Sequence, residues 1–142
     1  MSLNNIETLY TSDYPAVKET LNLEALDKTF KALNLSKPVS FVFMTDDELL
    51  DVNIQALKHD YYTDVITFDY SDDPDMECSE VLISVDRIKD NAISEKVAFS
   101  SELHRVCIHG MLHLAGHEDN TPEAKNKMSS LENHYLALHC ST

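Results

Sequence analysis

HGMLHLAGHED, residues 109–119, places two histidines four residues apart, follows them with a glycine, and then adds a third histidine and two acids. Both of the chain's 2 glycines, Gly110 and Gly116, fall inside it. Positions i and i+4 of an α-helix share a face, so the imidazoles of His109 and His113 can converge on one cation. Gly116 suits the turn that must follow, because glycine readily adopts the left-handed conformation that ends a helix. Gly110 carries a different message. Glycine inside a helix costs about 1 kcal/mol relative to alanine, so its presence predicts that another element packs close to the backbone there.

Working outward, the motif occupies the end of a helix predicted over Ser101–Ala115. Leu103, Cys107, Ile108, Gly110, Met111, Leu114 and Ala115 cover more than half of its circumference, and Glu102, Arg105, His109 and His113 fall in one narrow stripe. A surface helix shows a wider polar face, so this one is expected to be mostly buried, with a single polar seam.

The flanking segments supply a small sheet and its cover. Strands are predicted at Ile6–Thr11, at Val39–Met44 (VSFVFM), at Asp64–Tyr70 (DVITFDY) and at Glu80–Val85 (EVLISV), each rich in β-branched or aromatic residues. Helices are predicted over Leu21–Leu33, from the N-cap Thr45 to Leu57, over Asp86–Phe99 and over Pro122–Leu138, the last with Thr121 as N-cap and Pro122 at its first position. Its stripe of Ala124, Met128, Leu131, Tyr135 and Leu138 reads as core packing. The acidic run SDDPDMECS reads as a solvated turn and lacks the acid order of an EF-hand. The order of elements gives an α+β fold, a small and mostly four-stranded sheet covered by helices, and the central helix is either a metal-binding helix or an ordinary one carrying a solvated pair of histidines.

Composition bounds the function. The 142 residues, 43% of them hydrophobic, suit one domain spanning 1–142. No apolar run reaches the roughly 20 residues of a membrane span. The start, MSLNNIETLYTSDYP, lacks the basic opening and apolar core of a secretion signal, so a cytoplasmic location is expected. Cys78, Cys107 and Cys140 form no C-x-x-C pair, which argues against a disulfide framework or a cysteine zinc site. The net charge of −14, from 25 acids against 11 lysines and arginines, repels phosphate backbones at long range and favours cations. DNA binding is not expected.

The segment HGMLHLAGHED resembles the H-G-x-L-H-L-x-G-x-D-H signature of the YbeY family, bacterial metal-dependent endoribonucleases and ribosomal RNA maturation factors. HDYYTDVITFDY (His59–Tyr70) is similar to that family's D-x-x-T-[ND]-V-[LI]-[ST]-F segment, and SEVLISVDRI (Ser79–Ile88) to its G-D-[IL]-x-I-S strand, with Ser79 and Glu80 in place of Gly-Asp. The three stand in family order and spacing, and the similar region runs from about Val39 to Leu138. The resemblance implies one divalent ion, Zn2+, and RNA cleavage in ribosomal RNA maturation and ribosome quality control, with ribosomal RNA and ribosomal subunit or assembly proteins as partners. It places the first two metal ligands on His109 and His113. The family's third ligand is a histidine at the position held here by Asp119, and carboxylate oxygen is an acceptable zinc donor. Asp119 is therefore taken as the third ligand, with His117 as its rival. The carboxylate lowers the net charge of a zinc site to +1, where three histidines would leave +2.

The resemblance fails at one basic residue. The arginine that the family often carries ahead of the strand segment is replaced by Leu57. Lys58 or Arg105 must then meet substrate phosphates, although Arg105 could equally pair with Glu102. A zinc protease of the H-E-x-x-H type carries its general base where Gly110 stands, which counts against peptide hydrolysis. Glu118 could assist catalysis, but no general base is assigned. The competing expectation is a metal-stabilised assembly factor that binds ribosomal proteins without cutting RNA, favoured by the acidic surface and the missing arginine.

Overall fold

The computed structural model describes residues 5–140. Four strands, β1 (Ile6–Tyr10), β2 (Val39–Met44), β3 (Val65–Phe68) and β4 (Ser79–Ser84), form one sheet in the order β1-β2-β4-β3. β1, β2 and β4 run parallel, and β3 lies antiparallel on the outer edge of β4. Six helices complete the α+β fold: α1 (Pro15–Thr20), α2 (Leu23–Ala32), α3 (Asp46–Leu57), α4 (Val85–Glu95), α5 (Phe99–Leu114) and α6 (Pro122–His139). Among the described residues, no helix is long and apolar enough to cross a membrane.

Alternation along the strands divides the core in two. Val39, Phe41 and Phe43 of β2, with Val81 and Ile83 of β4, point to one face and pack with Leu103, Cys107, Ile108 and Met111 of α5. Met44, Leu82 and Ile66 point to the other face and meet Leu49 of α3. That period of two is why VSFVFM, although continuously apolar, can feed both layers. α5 is the central helix, touching the sheet as well as α2, α4 and α6. Its Gly110 lies directly over Val81: a Cβ built there would come within 2.5 Å of Val81 Cγ1. The close approach implied by a mid-helix glycine is present.

Several details differ from the sequence reading. α1 was not predicted, because its 6 residues contribute only one buried side chain, Val17, and so carry no period. β3 is shorter than Asp64–Tyr70; it ends where the Tyr70 amide donates to Ser79 Oγ at 3.0 Å. α4 begins one residue early because Ser84, the last residue of β4, caps it, accepting from the Arg87 amide, and α5 begins at Phe99 without a side-chain cap. In α6 the buried face is centred on Met128 and Glu132. It is thereby rotated so that Leu136 packs on the core, and Leu138, expected inside, is 59% exposed. Cys107 is fully buried, which pushes its thiol far above the usual range, as befits an inert core cysteine.

Candidate metal centre

α5 ends in a complete Schellman motif. Gly116, at φ +97°, donates its amide to the His113 carbonyl, and the next amide, of His117, donates to the Leu112 carbonyl, both at 3.0 Å. The reversal carries the chain back over the last turn of the helix. Asp119 Oδ2 then lies 3.5 Å from His109 Nε2 and 3.6 Å from His113 Nε2, and the two Nε2 atoms are 3.0 Å apart. His117 and Glu118 instead line a separate cleft with Lys127 and Met128.

These separations test whether a metal fits. Ligands at 2.0–2.1 Å around a tetrahedral ion stand about 3.4 Å from one another. The three donor atoms lie close to that spacing without adjustment, and they leave the fourth position open toward a cleft of about 530 Å³. Asn53, Leu57, His59, Tyr61 and Asp64 line the cleft beside the triad, and no lysine or arginine is among its lining residues.

Glu132 of α6 completes the arrangement. Its Oε2 lies 2.7 Å from His109 Nδ1 and its Oε1 accepts from the Arg105 guanidinium at 3.2 Å. A carboxylate accepts only, so His109 carries its proton on Nδ1 and turns the Nε2 lone pair toward His113 and Asp119. Burial opposes a charge on His109, but the Glu132 hydrogen bond, together with Asp64 and Asp119, outweighs it and raises the pKa. Burial, and then the charge of His109, lowers that of His113. Burial also raises the Asp64 carboxyl, against the opposing pull of His109.

The structure brings His109, His113 and Asp119 together and leaves the two expected phosphate contacts outside. Arg105 pairs with Glu132, donates to Asn133 Oδ1 at 3.0 Å, and lies 3.8 Å from Glu102. Its guanidinium braces the carboxylate behind His109 and does not reach the cleft. Lys58 closes α3 in the left-handed conformation at φ 61°, with Nζ 3.4 Å from the Gln55 carbonyl, and does not line the cleft either. His104, on the same helix, is buried away from the triad; it accepts from the Asn22 amide at 3.0 Å and bonds the Ser100 carbonyl at 2.7 Å.

Sequence reasoning missed Glu132. A signal existed: the glutamate interrupts the apolar stripe one turn beyond Met128, where a charge survives burial only with a partner. Glu132→Gln keeps the shape and removes the charge behind His109. Zinc affinity is expected to fall about 10- to 100-fold, measurable by competition with a chelating dye; unchanged affinity would show that Glu132 does not support the ligand.

A family model described as Endoribonuclease YbeY matches residues 6–139. This chain belongs to the YbeY family. The match reaches the N-terminal strand, well ahead of Val39, where the similar region read from the sequence begins. YbeY relatives include the Endoribonuclease YbeY of Phocaeicola vulgatus, 45% identical over 100 residues (70% of this chain and 72% of that one). Those of Cytophaga hutchinsonii, 39% identical over 86% of this chain and 82% of that one, and Flavobacterium psychrophilum, 36% identical over 91% and 92%, extend further. The solution structure of TM1509 from Thermotoga maritima shares the fold, with a TM-score of 0.62, 29% identity, and coverage of 93% of this chain and 89% of that one.

Proposed function

We infer that the protein is a metal-dependent endoribonuclease that cuts single-stranded RNA, with zinc held by His109 Nε2, His113 Nε2 and Asp119 Oδ2. Membership of a family named for endoribonuclease activity supports the reaction class. The single observation that carries the metal is the set of donor separations, 3.0, 3.5 and 3.6 Å, at the mouth of an open cleft. When bound, a divalent ion supplies Lewis-acid polarisation of a phosphoryl oxygen and lowers the pKa of water.

The chain's own residues do the rest. His109 and His113 are fixed by a buried helix, and Glu132 sets the orientation of the first ring. Gly110, where a zinc protease would carry its glutamate, leaves nothing beside the first histidine to act on a peptide. Asp64 is the remaining carboxyl of the cleft. Burial raises its pKa, the direction that a proton-transferring carboxyl requires. The biological setting we propose is ribosomal RNA maturation in the cytoplasm, with ribosomal subunits or their assembly proteins as partners.

A second reading, a metal-stabilised assembly factor without nuclease activity, draws on the absence of any lysine or arginine lining the cleft. One experiment separates the two. Metal-replete protein is expected to cut single-stranded RNA, Asp119→Ala to lose both metal and cleavage, and His117→Ala to keep both. Stoichiometric metal without cleavage would favour the assembly factor, and metal lost in His117→Ala would overturn the ligand set.

A further inference from the structure

The wall of the cleft holds two rings that the metal site does not use. His59 and Tyr61 stack with centroids 5.2 Å apart and planes 17° from parallel, and the Tyr61 hydroxyl lies 3.0 Å from His59 Nδ1. Tyr61 is 51% exposed. An exposed ring is by itself ordinary. What sets this one apart is how firmly its backbone is held. Asn53, only 2% exposed, donates its side-chain amide to the Tyr61 carbonyl at 2.9 Å, and its carbonyl accepts the His59 amide at 3.1 Å. A buried polar side chain is thus spent on fixing a short solvent-facing loop, directly after the left-handed Lys58.

The chemistry of the cleft narrows what such a surface can receive. Without lysine or arginine in its lining, the cleft offers a strand no cationic side chain for its phosphates. The other general means of holding single-stranded nucleic acid is stacking of bases on aromatic rings. A ring whose backbone is already held, and which already stacks on a neighbour, loses less conformational freedom when a base lands on it.

We propose that His59 and Tyr61 form a stacking platform for one nucleobase of a single-stranded RNA whose adjoining phosphodiester lies at His109, His113 and Asp119. The proposal rests on the endoribonuclease reading and adds to it the element that selects the substrate. A base within a duplex has its faces covered by its neighbours and cannot take this position, so the platform favours single strands without reading their sequence.

The test uses zinc-loaded wild type, Tyr61→Phe and Tyr61→Leu in single-turnover cleavage of oligoadenylate, and of the same oligomer carrying stable abasic riboses. Tyr61→Leu is expected to raise the half-saturating protein concentration roughly 5- to 150-fold, the effect of losing one base stack. The rate at saturation and the bound zinc should stay unchanged, and Tyr61→Phe, which keeps the ring, should behave as wild type. The abasic oligomer should bind wild type as weakly as the intact one binds Tyr61→Leu. If wild type cuts the RNA and Tyr61→Leu matches it in half-saturation, or abasic and intact oligomers bind alike, the platform is overturned and the nuclease stands. A wild type that carries zinc yet neither binds nor cuts any oligomer overturns both.

Discussion

His113→Ala is expected to lose tight zinc binding and, with it, RNA cleavage. Removing a group that merely orients a ligand costs about 10- to 100-fold in metal affinity; removing a ligand from a set of three must cost more. The remaining pair, His109 and Asp119, stands 3.5 Å apart and would hold an ion through two donors only. The consequence can be read without any RNA. Zinc at about 100 times its dissociation constant stabilises a protein that binds it only when folded by about 2.7 kcal/mol, which for a domain of this size raises the melting temperature by roughly 10 °C. Wild type should show that rise and His113→Ala should not. Because His113 is a quarter exposed and holds up no part of the core, the zinc-free melting temperatures of the two should be close. An equal zinc-induced rise in the variant would place the ion elsewhere.

Gly110→Ala is expected to destabilise the fold, although alanine is the better helix former. The new Cβ would lie 2.5 Å from Val81 Cγ1 and 3.0 Å from Cγ2. Val81 is fully buried on β4, between β2 and β3, and its branched side chain has few rotamers to retreat into. Overpacking of this kind costs about 1–3 kcal/mol, enough to offset the gain of about 1 kcal/mol in helix propensity. If α5 shifts from the sheet to make room, His109 moves with it, so zinc affinity should fall in parallel. Val81→Ala also destabilises, by leaving a void. The double variant should cost less than the two single changes added together, and that non-additivity is the signature of direct contact. Denaturant melts of the four proteins measure it; simple additivity would mean that Gly110 answers to something other than Val81.

What the sequence could and could not disclose follows the distance over which each feature is encoded. The helix bearing the histidines was legible because its evidence is local: an apolar face at helical spacing, a polar seam, and a glycine at the turn. The start of α3 was legible for the same reason, since Thr45 and Glu48 satisfy each other's backbone amides as a capping box three residues apart. Strand order was not, because β2 pairs with both β1 and β4 through residues far apart in the chain. Arg105 was legible as a seam residue, but its main partner was not. Its position on α5 pointed equally to Glu102 and to a substrate, and only the packing of α6, 27 residues onward, brings Glu132 within reach. His59 and Tyr61 stood inside a familiar segment, yet their shared role depends on a buried asparagine that no local pattern marks. Leu138 shows the reverse error: its spacing was right, but the buried face of α6 turns toward the charged Glu132.

Anomalous diffraction at the zinc edge, from crystals of metal-replete protein, tests the centre of this account most directly. The expected map has one strong peak within bonding distance, about 2.0–2.2 Å, of His109 Nε2, His113 Nε2 and Asp119 Oδ2, with a fourth position open to the cleft. A peak ligated by His117 in place of Asp119, or no peak between the two imidazoles in protein shown to be metal-replete, would contradict it.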